Sequence, residues 1–161
     1  MLLLCKYDEE GAFGVIINRI IDMDMQTVLD QVSIDVNHLP VKPTMFGGPV
    51  QLTSCRVLYA GERTVDAGKT VYDDSNQPIS ISPSLRELQR LIDEEISFEL
   101  VMGYAGWGPA QLDQELVEGS WLYTDISPQL LLSLPPSERY IFAINQLGIE
   151  PTHMWQQSFE E

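Results

Sequence analysis

Apolar residues fall into short blocks along the chain, and the spacing within each block marks a predicted element. Met1 to Tyr7 has the apolar content of a buried strand. Asp8-Glu9-Glu10-Gly11 supplies a turn, and Phe13-Gly14-Val15-Ile16-Ile17-Asn18 supplies a second strand, so the chain is expected to open with a β-hairpin. Asp22 or Asp24 then caps a helix in which Met25, Val28, Leu29 and Val32 share one face. A looser section with Pro40 and Pro43 leads into Phe46-Gly47-Gly48-Pro49-Val50, and Arg56 to Ala60 reads as a strand.

Gly61 to Gln77 is turn-rich, with a short strand expected at Thr70 to Tyr72. Ile79 and Ile81 alternate with serines, as in a half-buried strand. Ser82-Pro83-Ser84 followed by Glu87 starts a helix whose Leu85, Leu88, Ile92 and Ile96 fall on one face. Phe98 to Tyr104 reads as a strand ending in the loop Gly103-Tyr104-Ala105-Gly106-Trp107-Gly108. Pro109 opens a helix with Leu112 and Leu116 inward and Gly119 at its stop, and Trp121 to Tyr123 is a short extended piece. Ser127-Pro128 starts a short helix, and Pro136 starts a last one with Tyr140, Ile141, Ile144 and Leu147 inward and Gly148 at its end. Strands and helices alternate irregularly, which predicts an α+β domain rather than a βαβ series.

Composition narrows the functional classes. With 161 residues the chain is expected to form one domain, residues 1–161, with its own core. Nine Lys and Arg against 24 Asp and Glu leave a net charge of -15, which repels phosphate backbones and anionic lipid and argues against nucleic-acid or membrane binding. No stretch approaches the ~20 apolar residues that a bilayer-crossing helix needs, and the opening apolar run is too short for a signal region, so the expected location is the cytoplasm. Cys5 and Cys55 form no C-x-x-C pair and are expected to be two reduced thiols, although a disulfide between them stays open at this level.

Candidate chemistry is sparse. The Gly103–Gly108 run lies between a strand and a helix, where phosphate-cradling loops occur, but it lacks the dinucleotide and Walker spacings. Its plainer reading is a tight turn that lets Trp107 pack close to backbone, and Gly47-Gly48-Pro49 reads the same way. Arg19, after Asn18, could contact an anion or, more ordinarily, pair with a carboxylate. Tyr104, Trp107 and Trp121 could wall a ligand or anchor the core. The pairs Asp22/Asp24 and Asp73/Asp74 and the run Asp93-Glu94-Glu95 match no calcium-loop pattern and read as a cap, a turn and a solvated face. His38 and His153 belong to no catalytic signature, and no nucleophile elbow occurs. No cofactor or metal is implied.

Three segments carry a family resemblance: Glu10 to Arg19, Phe46-Gly47-Gly48-Pro49-Val50, and Gly103-Tyr104-Ala105-Gly106-Trp107-Gly108-Pro109-Ala110-Gln111-Leu112-Asp113-Gln114-Glu115-Leu116. In order and spacing the chain resembles the bacterial AlgH/YqgE family over nearly its whole length. The resemblance implies an α+β fold whose mixed, mostly antiparallel sheet curls into a barrel flanked by helices. It implies no particular reaction, although members often carry the label of transcriptional regulator of alginate production. Family members usually have Pro after the Asn-Arg pair, where Ile20 stands here. They also usually begin with an additional strand, so the chain is expected to be N-terminally shortened, or its start codon assigned late, with an unpaired sheet edge.

These observations lead to a non-catalytic regulatory or binding domain as the first expectation, with an unknown protein or small anionic ligand as partner. An enzyme or sensor acting on a small anionic substrate is the alternative. The expected ligand patch is Asn18, Arg19, Gly47, Gly48, Tyr104, Gly106, Trp107 and Gly108.

Overall fold

The computed structural model describes residues 1–61, 69–72 and 78–149. The opening hairpin forms: β1 (Leu2–Asp8) pairs antiparallel with β2 (Gly11–Ile16), and the Asp8 carboxylate accepts the Glu10 N–H at 3.0 Å to hold the turn. The expectation that the first strand is buried does not hold. Only Cys5 of β1 is buried, because the strand lies at a sheet edge with β2 as its single ladder partner.

The next stretch holds two unanticipated strands, β3 (Ile20–Asp24) and β4 (Pro43–Phe46), which pair antiparallel. Asp24 ends β3 and caps α1 (Met25–Gln31) by accepting the Thr27 N–H at 2.7 Å. Met25, Val28 and Leu29 are buried as expected, whereas Val32 sits past the last turn and is exposed.

β5 (Val50–Ala60) is longer than its apolar half suggested, β6 (Lys69–Tyr72) lies where a short strand was expected, and β7 (Ile79–Ser82) pairs with both. β7 is buried on both faces rather than one: Ser80 and Ser82 are buried too, and Ser80 Oγ donates to the Gly61 carbonyl at 2.8 Å. A 3₁₀ turn (Leu85–Glu87) capped by Ser84 precedes α2 (Leu88–Asp93). The chain continues through β8 (Phe98–Trp107), α3 (Gln111–Val117), α4 (Pro128–Ser133) and α5 (Pro136–Gln146). Trp121–Tyr123 forms no strand.

The sheet is mixed, in the order β1-β2-β8-β5-β7-β6, with β4 added in parallel to β8 and β3 beyond it. It is open, which corrects the expected barrel: among the described residues no ladder joins β1 to β6. The sheet also forks, because β8 shares one edge between two strands: β4 takes Val101 and Met102, and β2 takes Ala105 to Trp107.

β8 alternates between the two cores this sheet separates. Leu100 and Met102 join Val57, Tyr59 and the apolar faces of α1 and α2, while Val101 joins Val15, Ile17, Met45, Leu58 and Leu131 of α4. Burying each such aliphatic side chain contributes about 2 kcal/mol. The last helix docks largely on its expected face: Ile144 is buried and Tyr140 and Leu147 are half-buried, whereas Ile141 is exposed. Beside them Ala143 is buried and Arg139 turns inward at 1% exposure. Its guanidinium donates to the carbonyls of Ile17 (2.7 Å), Leu134 (3.0 Å) and Leu132 (3.3 Å) and forks onto the Glu99 carboxylate.

Candidate ligand-binding site

The two glycine segments meet, and they meet backbone on backbone. Gly47 donates its N–H to the Met102 carbonyl and accepts from Ile16 N–H, both at 2.8 Å, so it stitches β2 to β8. A methyl group on Gly47 would stand 2.4 Å from the Gly103 oxygen, and one on Gly48 would stand 2.3 Å from the Tyr104 carbonyl carbon. Gly103 adopts φ +73, a conformation that only glycine enters without strain. The crossing therefore fills the space that a phosphate cradle would need. The run from Gly103 to Trp107 is strand rather than loop, with Ala105, Gly106 and Trp107 opposite Gly14, Phe13 and Ala12.

At the far end of β8 the chain opens. Trp107 and Trp121 pack edge to face with ring centroids 5.7 Å apart. Both indoles donate to one oxygen of Glu115, at 2.9 Å and 2.7 Å, and Gln111 Nε2 donates to the other at 2.9 Å. These donors, Trp121 foremost, hold the Glu115 carboxyl below the usual carboxylate range. The clamp forms because α3 places Gln111 and Glu115 four residues apart on one face. Tyr7 of β1 adds a hydrogen bond from its hydroxyl to Asp113. Beside the clamp lies a cavity of about 480 Å³ between β1, α3, residues 121–126 and α5, lined by Leu2, Leu4, Leu112, Leu116, Leu131 and Ile144 among others. Its volume is that of a small-molecule site, and its wall is mostly apolar.

The remaining candidates scatter. Asn18 accepts from the Met1 ammonium at 2.6 Å, and burial, followed by the Arg19 charge, pushes that ammonium's pKa down. Arg19 is exposed and makes no ion pair among the described residues; its guanidinium lies 5.0 Å from the Phe46 ring centroid. Tyr104 packs edge to face on Phe13, centroids 5.4 Å apart, and Gly106 is exposed. The Gly108 N–H donates to Gln111 Oε1 at 3.0 Å, so the amide before α3 is occupied. Of the eight expected patch residues, the structure therefore brings Gly47, Gly48 and Tyr104 together, and Trp107 is the one that lines the cavity.

Cys5 and Cys55 are buried in different cores and form no disulfide with each other, and burial pushes the Cys55 thiol up to about 11. Exposed His38 has φ +57, while His153, Asp73 and Asp74 lie outside the described residues. Sequence reasoning missed the Glu115 clamp and the buried Arg139–Glu99 pair. The i, i+4 spacing of Gln111 and Glu115 was a readable signal for the first. Nothing local marks the second, whose partners stand 40 residues apart.

An open, forked α+β sheet between two helix-covered cores defines the class of this protein. The chain belongs to the AlgH-like family, whose model matches residues 1–152. It is 35% identical over 158 residues to a UPF0301 protein of Cupriavidus metallidurans, covering 93% of this chain and 79% of that one. A UPF0301 protein of Dechloromonas aromatica is 33% identical, with 96% and 83% covered. The solution structure of AlgH from Pseudomonas aeruginosa superposes with a TM-score of 0.73 at 28% identity, over 95% of this chain and 81% of that one. A crystal structure from Corynebacterium diphtheriae, at 22% identity and TM-score 0.58 over 79% and 66% of the two chains, shares the fold. No helix among the described residues is long and apolar enough to cross a membrane.

Proposed function

We propose that this protein is a non-catalytic, cytoplasmic binding domain that takes an apolar ligand, or an apolar segment of a protein, in the cleft beside Trp107. The observation that carries this reading is the cavity of about 480 Å³ whose aromatic wall is held in place by Glu115. A pre-formed wall lowers the cost of binding, because few side chains remain to be ordered. Any regulatory role runs through such a ligand or protein, since a net charge of -15 opposes contact with DNA. A reaction on a small anion at Asn18 and Arg19 draws less support, because Asn18 is taken up by the Met1 ammonium and Arg19 lies over Phe46.

The test uses the neutral fluorophore N-phenylnaphthylamine, whose emission rises in apolar surroundings. Saturable binding is expected, and Leu116→Glu, on the rim of the cleft, weakens it about tenfold. Absence of binding, or equal binding by a folded Leu116→Glu protein, would overturn the proposal.

A further inference from the structure

Arg56 lies on a part of the sheet that the cleft does not reach. Along β5, Val50 pairs with Tyr104 and Cys55 with Met102, so residues 51–54 bulge out against Gly103 alone. Bulges re-aim side chains and cluster beside functional sites. Here the bulge carries Gln51 into the left-handed region at φ +50, an uncommon backbone for a residue other than glycine. Gln51 Oε1 accepts from Arg56 Nη2 at 3.4 Å, and Ser54 Oγ accepts from Nη1 at 3.3 Å. The guanidinium carbon stands 4.6 Å from the Tyr104 ring centroid and 5.9 Å from that of Phe13.

The guanidinium is thus oriented before any ligand arrives, and much of its bonding capacity is unspent. Among the described residues, two of its five N–H donors are used, and Nε has no acceptor and is not sealed from solvent. Among the described residues no carboxylate pairs with Arg56, in a chain with 24 acidic and nine basic residues. Arg19 and Lys42 also lie over rings without a carboxylate, but each faces one ring and neither donates to a side-chain acceptor. Arg56 alone of these combines two rings with two side-chain acceptors.

We infer that Arg56, set on Tyr104 and Phe13 and anchored by Gln51 and Ser54, is a binding site for a small oxyanion gripped through the fork of the guanidinium. A carboxylate and a phosphate share the chemistry that the fork recognises, two oxygens in one plane. The charge of -15 keeps polyanions away, so the ligand is small.

Titration of the ¹⁵N-labelled chain with sodium phosphate and, separately, sodium acetate, at ionic strength held constant with sodium chloride, tests this. Saturable shifts are expected for the Arg56 Nε–H and the amides of Gln51, Ser54 and Tyr104, with a midpoint at about 1 mM or below. Saturation by phosphate alone assigns a phosphate ligand, and saturation by acetate alone assigns a carboxylate. Arg56→Lys, which keeps the charge and loses the fork, weakens binding about tenfold, and Arg56→Gln abolishes it. Neither anion saturating these signals, or a folded Arg56→Gln protein shifting as the parent does, would overturn the inference. Should Arg56→Gln not fold, Gln51→Ala decides: weaker binding supports the site, and unchanged binding overturns it.

Discussion

Two stretches of β8, its middle around Gly103 and its end around Trp107, are built from the same residue types and do opposite things. Near Gly103 the strand is crossed by Gly47 and Gly48 at distances that leave no room for a methyl group. Near Trp107 backbone still approaches closely at Gly11, but large rings gather there too, with a cavity beside them. Glycine next to an aromatic residue thus signals closure in one place and opening in the other. The difference lies in what approaches from outside the strand. The segment just after β4 delivers backbone to the middle of the strand, and the segment after α3 delivers a second indole to its end.

The largest effect expected from breaking this contrast is at the crossing. Gly47→Ala puts a methyl group 2.4 Å from both the Gly103 oxygen and Val101 Cγ1, and neither backbone can retreat without breaking the β2–β8 stitch. A loss of about 3 kcal/mol is expected in urea unfolding, and a loss near zero would show that the crossing is looser than described.

Acid should loosen the Trp107 end next. Because its hydrogen bonds hold the Glu115 carboxyl below its ordinary 4.5, the clamp's contribution is complete above that value. It is lost as the pH falls through the lower folded-state pKa. Indole emission should shift to the red over that acid range in the parent protein and stay flat in Glu115→Gln. The same acid transition in both proteins would remove Glu115 from the account.

The smallest effect belongs to Gly106→Ala, three residues from Gly103 on the same strand. Its methyl group would meet the edge of the Tyr104 ring at 3.3 Å, with the nearest backbone, the Ala12 oxygen, at 4.0 Å. Under about 1 kcal/mol of destabilisation is expected from the same unfolding measurement. A cost equal to that of Gly47→Ala would erase the distinction between the two stretches.

Helix ends show where reading the chain succeeds. Gly119 and Gly148, expected as stops, adopt φ +76 and +70 at the ends of α3 and α5. α1 and α2 end in the same left-handed turn on Ser33 (φ 55) and Glu95 (φ 54). There the following isoleucine closes the turn: Ile34 N–H reaches Leu29 O at 3.0 Å and Ile96 N–H reaches Leu91 O at 2.8 Å, and both side chains pack on the core. Glycine announces the turn through its own freedom. Serine and glutamate are held in it by a hydrophobic contact one residue later, which no local preference reveals. The same limit hid β3 and β4, whose five and four residues are too short to stand out alone and gain stability from pairing with each other and, for β4, with β8.

What the chain determined by itself is local: the first hairpin, the capping aspartate and serines, the glycine stops, the α+β character and the acidic surface charge. Each depends on residues within a few positions of one another, where backbone preference and side-chain hydrogen bonds act without help from the rest of the fold. Tertiary structure alone decided that the glycine runs close on each other, that the sheet forks rather than closing, and that Arg139 goes inside while Arg19 stays out. Those outcomes turn on partners far apart in sequence, and a glycine or an arginine carries no mark of which backbone, ring or carboxylate will meet it.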